Sequence, residues 1–251
     1  MLRSPVFKER AALGIFCGLV DFFSEIGRRP ALAGVDKIPI RTHVISENDD
    51  IVEVVGHYVR DIVRPGDLIC VAESVVAITQ GRAVLPKDVR PSILANFLCK
   101  FPGKDGSLAT PPAMQLAIQE VGAPRVVLGS VAAGLGRLIG RKGDFYRIAG
   151  RSLALIDDIA GTMPPFDKHV ILGPAHPEQV ASKIRDVTQT HALIADVNDK
   201  GCVDVLACTA PVPAEVIELV LSDNPFGNDD QQTPIVIVRG LLTGEGGPAK
   251  G

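Results

Sequence analysis

The chain has no tryptophan, two tyrosines and five cysteines (Cys17, Cys70, Cys99, Cys202 and Cys208), none of them in a CxxC pair. That spacing excludes a zinc ribbon and a disulfide framework. Cys70, Cys99 and Cys202 sit in apolar runs, where a buried thiol is the expected outcome, and a reducing cytoplasm is the expected compartment. No G-x-x-x-x-G-K-S/T loop occurs, which excludes nucleotide binding of the P-loop kind, and Gly134–Gly140 lacks the dinucleotide G-x-G-x-x-G spacing. The longest apolar stretch near the N-terminus, Ala11 to Phe23, is interrupted by Asp21 and falls short of the ~20 residues a membrane span needs, so no membrane contact is expected. A net charge of −3 argues against a dedicated nucleic-acid binder. The five histidines do not pair at metal-ligand spacing, and no Ser/His/Asp arrangement emerges from spacing alone.

What is present is a chain of 251 residues, 46% hydrophobic, with 19 prolines and 25 glycines. This describes many short elements, tightly joined, around a sizeable core. Residues 1–36 read as an N-terminal extension in which Ile15, Leu19, Phe22, Phe23 and Ile26 recur at helical spacing. Residues 37–240 read as the body, one large domain or two interleaved subdomains, and 241–251 as a flexible tail. Strands are expected at 38–45, 68–72, 125–131, 146–156, 169–172, 191–196, 203–207 and 235–238, and helices at 51–62, 89–101, 111–122, 177–189 and 215–221. Arg64-Pro-Gly-Asp67 between two of them has the proline and glycine of a type II turn. The order predicts an α+β protein with mixed sheets and helices rather than a doubly wound sheet.

Two segments end apolar runs in acids. His191–Ala195 runs into Asp196, Asn198 and Asp199 before Gly201, and 146–156 runs into Asp157 and Asp158. Strands that each deliver carboxylates to an edge suit a hard divalent cation; Mg²⁺ takes only one or two protein carboxylates beside waters and phosphates. The plainer alternative is that these acids merely stop the strands. Gly134, Gly136, Gly140 and Gly143 interleave with Arg137, Arg141 and Lys142 in what reads as a basic loop suited to phosphate or carboxylate. An exposed solubilising loop is the alternative.

Several segments, in order, resemble the coenzyme F-420 γ-glutamyl ligase family. They are Ile38-Pro-Ile-Arg-Thr42, Pro65-Gly-Asp67, Val71–Arg82, Ile156-Asp-Asp158, Ile171-Leu-Gly-Pro174, the 177–189 helix and Ala195-Asp-Val-Asn198. The likeness spans roughly residues 38–239. It implies an α+β fold paired into an intertwined homodimer, with GTP as co-substrate and Mg²⁺ or Mn²⁺ as cofactor. The family attaches glutamate to the lactyl-phosphate carboxylate of a deazaflavin coenzyme precursor. Carried over by position, Asp157 or Asp158 and Asp196 hold the metal, with Asp199 nearby and Val197 offering only its carbonyl. Glu73 and Ser74 line the nucleotide pocket, with Arg82 closing that segment. Two departures stand out. Ile78 occupies the place of a lysine that meets nucleotide phosphate, and Ala195-Asp-Val-Asn-Asp-Lys200 replaces Ser-Asp-Thr-Phe-Gly-Arg. Arg137, Arg141 or Lys142 are the candidate substitutes for the lost cation.

The expectation is therefore a metal- and nucleotide-dependent amide ligase joining glutamate to a small-molecule carboxylate. The alternative is a ligand- or metal-binding, regulatory protein on the same scaffold, motivated by Ile78. A third class, phosphate-ester hydrolysis by the same acids, is weaker.

Overall fold

Strand β1 (Asp36–Ile40) is followed by helix α1 (Ile51–Val59), which Asp50 starts: its carboxylate accepts from Val52 N at 2.7 Å and Glu53 N at 3.2 Å. The Arg64–Asp67 turn closes with Asp67 N donating to Arg64 O at 3.0 Å and Gly66 at φ +86°, a value a side chain resists. Strand β2 (Leu68–Ala72) runs straight into α2 (Glu73–Thr79). Then come β3 (Ala83–Val84), α3 (Ile93–Leu98), α4 (Pro111–Val121), α5 (Ala123–Leu138), α6 (Asp144–Ala149), β4 (Asp157–Asp158) and β5 (Val170–Ile171). The chain finishes with α7 (Pro177–Thr188), β6 (His191–Val197), β7 (Val203–Cys208), α8 (Ala214–Leu221) and β8 (Ile235–Arg239).

This computed structural model describes residues 34–102, 107–141, 143–158, 164–227 and 231–242. The helix expected within 1–36, Lys142 and most of the 241–251 tail lie outside them. The described residues form two compact units, one within 83–158 and 168–173, the other within 34–82, 164–167 and 174–242.

The larger unit is a five-stranded mixed sheet in the order β1-β8-β2-β6-β7. Strands β2 and β6 are parallel; the other neighbours are antiparallel. Alternate residues of the central strands feed two cores. Ile69, Val71, Ala192 and Ile194 pack with Val55, Val59 and Ile184 of α1 and α7. Leu68, Cys70, Leu193 and Ala195 pack with Ile217 and Leu221 of α8. Burial on both faces is why these strands read as unbroken apolar runs. Each buried leucine, isoleucine or valine among them contributes on the order of 1.5–3 kcal/mol.

The smaller unit holds a three-stranded antiparallel sheet, β3-β5-β4, and helices α3 to α6 around Leu98, Met114, Ala117, Val126, Leu153 and Val170. Here the expected strands at 125–131 and 146–156 are corrected. Residues 123–138 form one sixteen-residue helix and the second stretch forms α6 and a 3₁₀ turn, Arg151–Leu155; strand geometry begins only at Asp157. Gly122 at φ +87° and Pro124 in the first turn start α5, as a helix-opening proline does. Of the glycines read as a basic loop, Gly134 and Gly136 lie inside this helix, Gly136 against Asp144 and Gly134 with nothing within 4 Å of an added Cβ. A Cβ at Gly129 would sit 2.9 Å from Ala149 Cβ and 3.0 Å from Phe145 O, so glycine lets α5 and α6 touch. Overall the protein is α+β, with mixed sheet and helices.

Candidate functional site

In register, Ala72 of β2 pairs with Ala195 of β6. Their pairing ends there: β2 gives way to Glu73 at the start of α2, while β6 runs on through Asp196 to Val197. The carboxyl edge of parallel strands is where open sheets place ligands. Glu73 is buried, in the first turn of α2, where an acid also complements the helix dipole. Ser74 and Asp196 are half-buried. Asp196 continues the face of Ala192 and Ile194, and across the hairpin its partner is Asp204.

The turn that makes this pairing is built by side chains. Asn198 Oδ1 accepts from Lys200 N at 3.0 Å and Cys202 N at 3.1 Å, and Gly201 takes φ +74°. Asp199 is exposed at the tip, accepting from Asn224 Nδ2 at 2.8 Å. Cys202, expected as buried, is half-buried because it sits where this turn returns to the sheet; Cys70 and Cys99 are buried.

Arg82 lines a cleft of about 340 Å³ with Gln80, His176, Gln179 and Lys183. Gln80 spends both ends of its carboxamide on one peptide: Nε2 donates to Ala175 O at 2.9 Å and Oε1 accepts from Ala175 N at 2.7 Å. That clamp fixes the loop whose His176, at φ +51°, begins α7. Arg82 and Lys183 give the cleft a cationic lining, and the α7 dipole adds to it. This is chemistry for an anion, with guanidinium and ammonium donors for phosphate oxygens.

The remaining residues expected at the site lie in the smaller unit. Arg137 donates to Phe101 O at 3.1 Å, and Arg141 pairs with Asp144 at 3.1 Å, alongside Arg147 at 2.9 Å. Asp157 and Asp158 form β4 beside Ile171 and Val170. The structure thus gathers Glu73, Ser74 and Asp196 at one sheet edge and Arg82 in a cleft of the same unit. Ile78 is buried in α2 at 3% exposure. Among the described residues, no group of three or more His, Cys, Asp or Glu side chains forms a ready metal cage. No helix among them is long and apolar enough to cross a membrane.

Sequence reasoning missed Asp204, Gln80, His176 and Lys183. Asp204 was within reach: counting outward from Lys200 through the hairpin pairs Val197 with Val203 and Asp196 with Asp204. The cleft residues gave no signal, because residues 80 and 175 meet only in the fold.

The architecture and this edge define an α+β protein with carboxylates at the ends of a parallel strand pair and a cationic cleft nearby in sequence to one of them. The sequence model of the F420-0:gamma-glutamyl ligase family matches residues 39–195, more than half of the chain. The chain belongs to this family, whose members are glutamate-adding ligases. No curated protein matches it. The matched span includes Glu73, Ser74, Arg82, Asp157 and Asp158, and stops one residue before Asp196.

Proposed function

We propose that the protein joins the amine of glutamate to a carboxylate of a small molecule, using GTP and Mg²⁺ or Mn²⁺, as a cytoplasmic and intertwined homodimer. The observation behind this is the parallel register of β2 and β6, which brings Ala72 and Ala195, the residues before Glu73 and Asp196, level with each other in a chain of the ligase family. The γ-phosphoryl group passes from GTP to a carboxylate oxygen, breaking the β–γ phosphoanhydride and leaving GDP. The amine then attacks the acyl carbon; a C–N bond forms, the C–O bond to phosphate breaks, and the amine proton is released. Such chemistry asks the protein chiefly for positioning and charge neutralisation. Arg82, with His176 and Lys183, receives phosphate oxygens, while Glu73 and Ser74 border the nucleotide.

The carboxylates fit a sparsely held hard cation. Asp196 and Asp204 face each other across the hairpin, and like charges so placed are mutually unfavourable, a cost a cation offsets. Asp196 and Asp204, with Asp199 at the tip of the same hairpin, are the residues that would hold it. When bound, the metal neutralises phosphate charge. Titrating full-length protein with GTP and Mn²⁺ in a calorimeter tests this. Binding is expected, with R82A/K183A at least tenfold weaker; if neither GTP nor ATP binds with either metal, the proposal fails.

The burial of Ile78, at 3% exposure, favours a second reading in which the scaffold binds ligand without turnover. Glutamate-dependent release of inorganic phosphate eliminates that reading, and binding with no such release establishes it.

A further inference from the structure

Helix α5 is apolar on two sides. Its inner side, with Val126 and Gly129, packs in the smaller unit against α6. Its outer side exposes Leu128 (61%), Val131 (56%), Leu135 (61%) and Leu138 (82%). At about 100° per residue these four and Val127 fall in one stripe roughly 100° wide, and Arg125 and Arg137 fall outside it. A stripe of that width is what a helix turns to a core or a partner, and contiguous exposed apolar surface marks an interface. The surface continues past the helix. Arg137 donates to Phe101 O at 3.1 Å, which places Phe101 and its edge-on neighbour Phe97, both exposed, beside the end of α5.

Two properties of the stripe select its occupant. The first is spacing. Leu128, Val131, Leu135 and Leu138 stand 3-4-3 apart, the repeat of a coiled-coil seam, and 3-4-3 reads the same in both directions. An antiparallel copy of α5 therefore matches it layer by layer, Leu128 against Leu138 of the second copy and Val131 against its Leu135. Such a contact is isologous, with its two-fold axis level with Ala133, and it closes at two copies. The second property is area. With Val127, Ile139, Phe97 and Phe101, the stripe presents on the order of 900 Å² per copy, against the ~800 Å² per partner of a standard interface. Homodimer interfaces are the more apolar class, and this stripe carries no charge along its length.

We infer that the outer face of α5 is the seam on which two copies of this chain pair, antiparallel, with Phe97 and Phe101 extending the contact at each end. This seam gives the homodimer of the preceding reading its contact face and rests on nothing in the proposed chemistry, which the GTP titration tests separately. Light scattering after size exclusion of the full-length protein, at micromolar concentration, reads the pairing. The unmodified protein is expected at twice 26.6 kDa. L135D/L138D, at exposed positions, is expected at the single-chain mass, its association weakened at least a hundredfold, with the far-UV circular dichroism of the unmodified protein. Cross-linking reads the direction. L128C/L138C is expected to form a covalent dimer under mild oxidation, above the level of the unmodified protein. L128C alone is not, because the two copies of that position stand about 15 Å apart along an antiparallel seam. Should L135D/L138D fail to fold, the cysteine variants decide. A single-chain mass for the unmodified protein means another occupant covers the face, and overturns both the seam and the homodimer. A dimer that survives L135D/L138D, or one that L128C cross-links as well as L128C/L138C does, overturns the seam alone.

Discussion

Replacing Arg239 with methionine should destabilise the protein by about 3 kcal/mol, and replacing Asp67 with asparagine by only about half of that. Arg239 closes β8 and grips the entrance to β2. Its Nε donates to Asp67 Oδ1 at 3.1 Å, and one Nη donates both to Asp67 Oδ2 at 2.9 Å and to Ile62 O at 2.8 Å. Asp67 is 2% exposed and Arg239 22%. The pair is thus asymmetric. Without Arg239, a buried carboxylate keeps only the Arg64 N–H, at 2.8 Å, among these contacts. Without the charge on Asp67, the guanidinium turns to water and still holds Ile62 O, and the asparagine oxygen still accepts from Arg64. The Asp67 hydrogen bond also pushes the arginine pKa up, the same coupling seen from the other side. A double-mutant cycle in urea, read by far-UV circular dichroism because the chain has no tryptophan, should give a coupling of about 1–2 kcal/mol. Equal costs for the two single changes, or a coupling under about 0.3 kcal/mol, refute the argument.

Two helix glycines should respond with opposite signs. Gly129→Ala meets Ala149 and Phe145 O and should lower Tm, overpacking of about 1–3 kcal/mol outweighing the helix-propensity gain, whereas Gly134→Ala meets nothing within 4 Å and should stabilise by about 0.5–1 kcal/mol. Burial pushes the Cys70 thiol far up and raises that of Cys208, so iodoacetamide at pH 8 should alkylate half-buried Cys202 while peptide mapping finds Cys70 unmodified. The Ser46 backbone N–H, at 2.7 Å, holds the Asp49 carboxyl below the ordinary carboxylate range, with the Ser46 hydroxyl and His43 assisting. Because its folded pKa is lowered, Asp49 contributes stability at neutral pH that disappears as pH falls below about 4. Asp49→Asn should therefore flatten the acid limb of a urea-midpoint profile.

The elements that were legible in sequence are those whose burial leaves a period. Leu68–Ala72 and His191–Val197 are covered on both faces and appear as apolar runs; Val180, Ile184 and Val187 mark α7. The acid edge was legible for the same reason, since the runs stop where Glu73 and Asp196 begin. Helix α5 was not, because Gly129, Gly134 and Gly136 lower its intrinsic propensity and the meaning of Gly129 depends on α6 lying against it. The smaller sheet has strands of two residues, too short to show alternation. The Gln80–Ala175 clamp, which shapes the cationic cleft, joins residues 95 apart and has no local signature.

Position and burial are inseparable at the acid edge. Among the sheet's pairings only β2 and β6 are parallel, so their carboxyl ends emerge together, joined there by the amino ends of β7 and β8. Ala72 N donates to Pro234 O at 2.9 Å, which ties that edge to the start of β8. A one-residue slip of β6 would exchange its two faces, sending Leu193 toward α1 and α7 and carrying Asp196 to the side of α8. Both faces are packed, so such a slip costs core contacts on each. The register that stabilises the sheet is thus the same register that sets Asp196 opposite Asp204 and brings Ala195 level with Ala72, the residue before Glu73. A core substitution in β6 that loosened this register would perturb the ligand binding proposed for the edge even though the altered side chain never reached it.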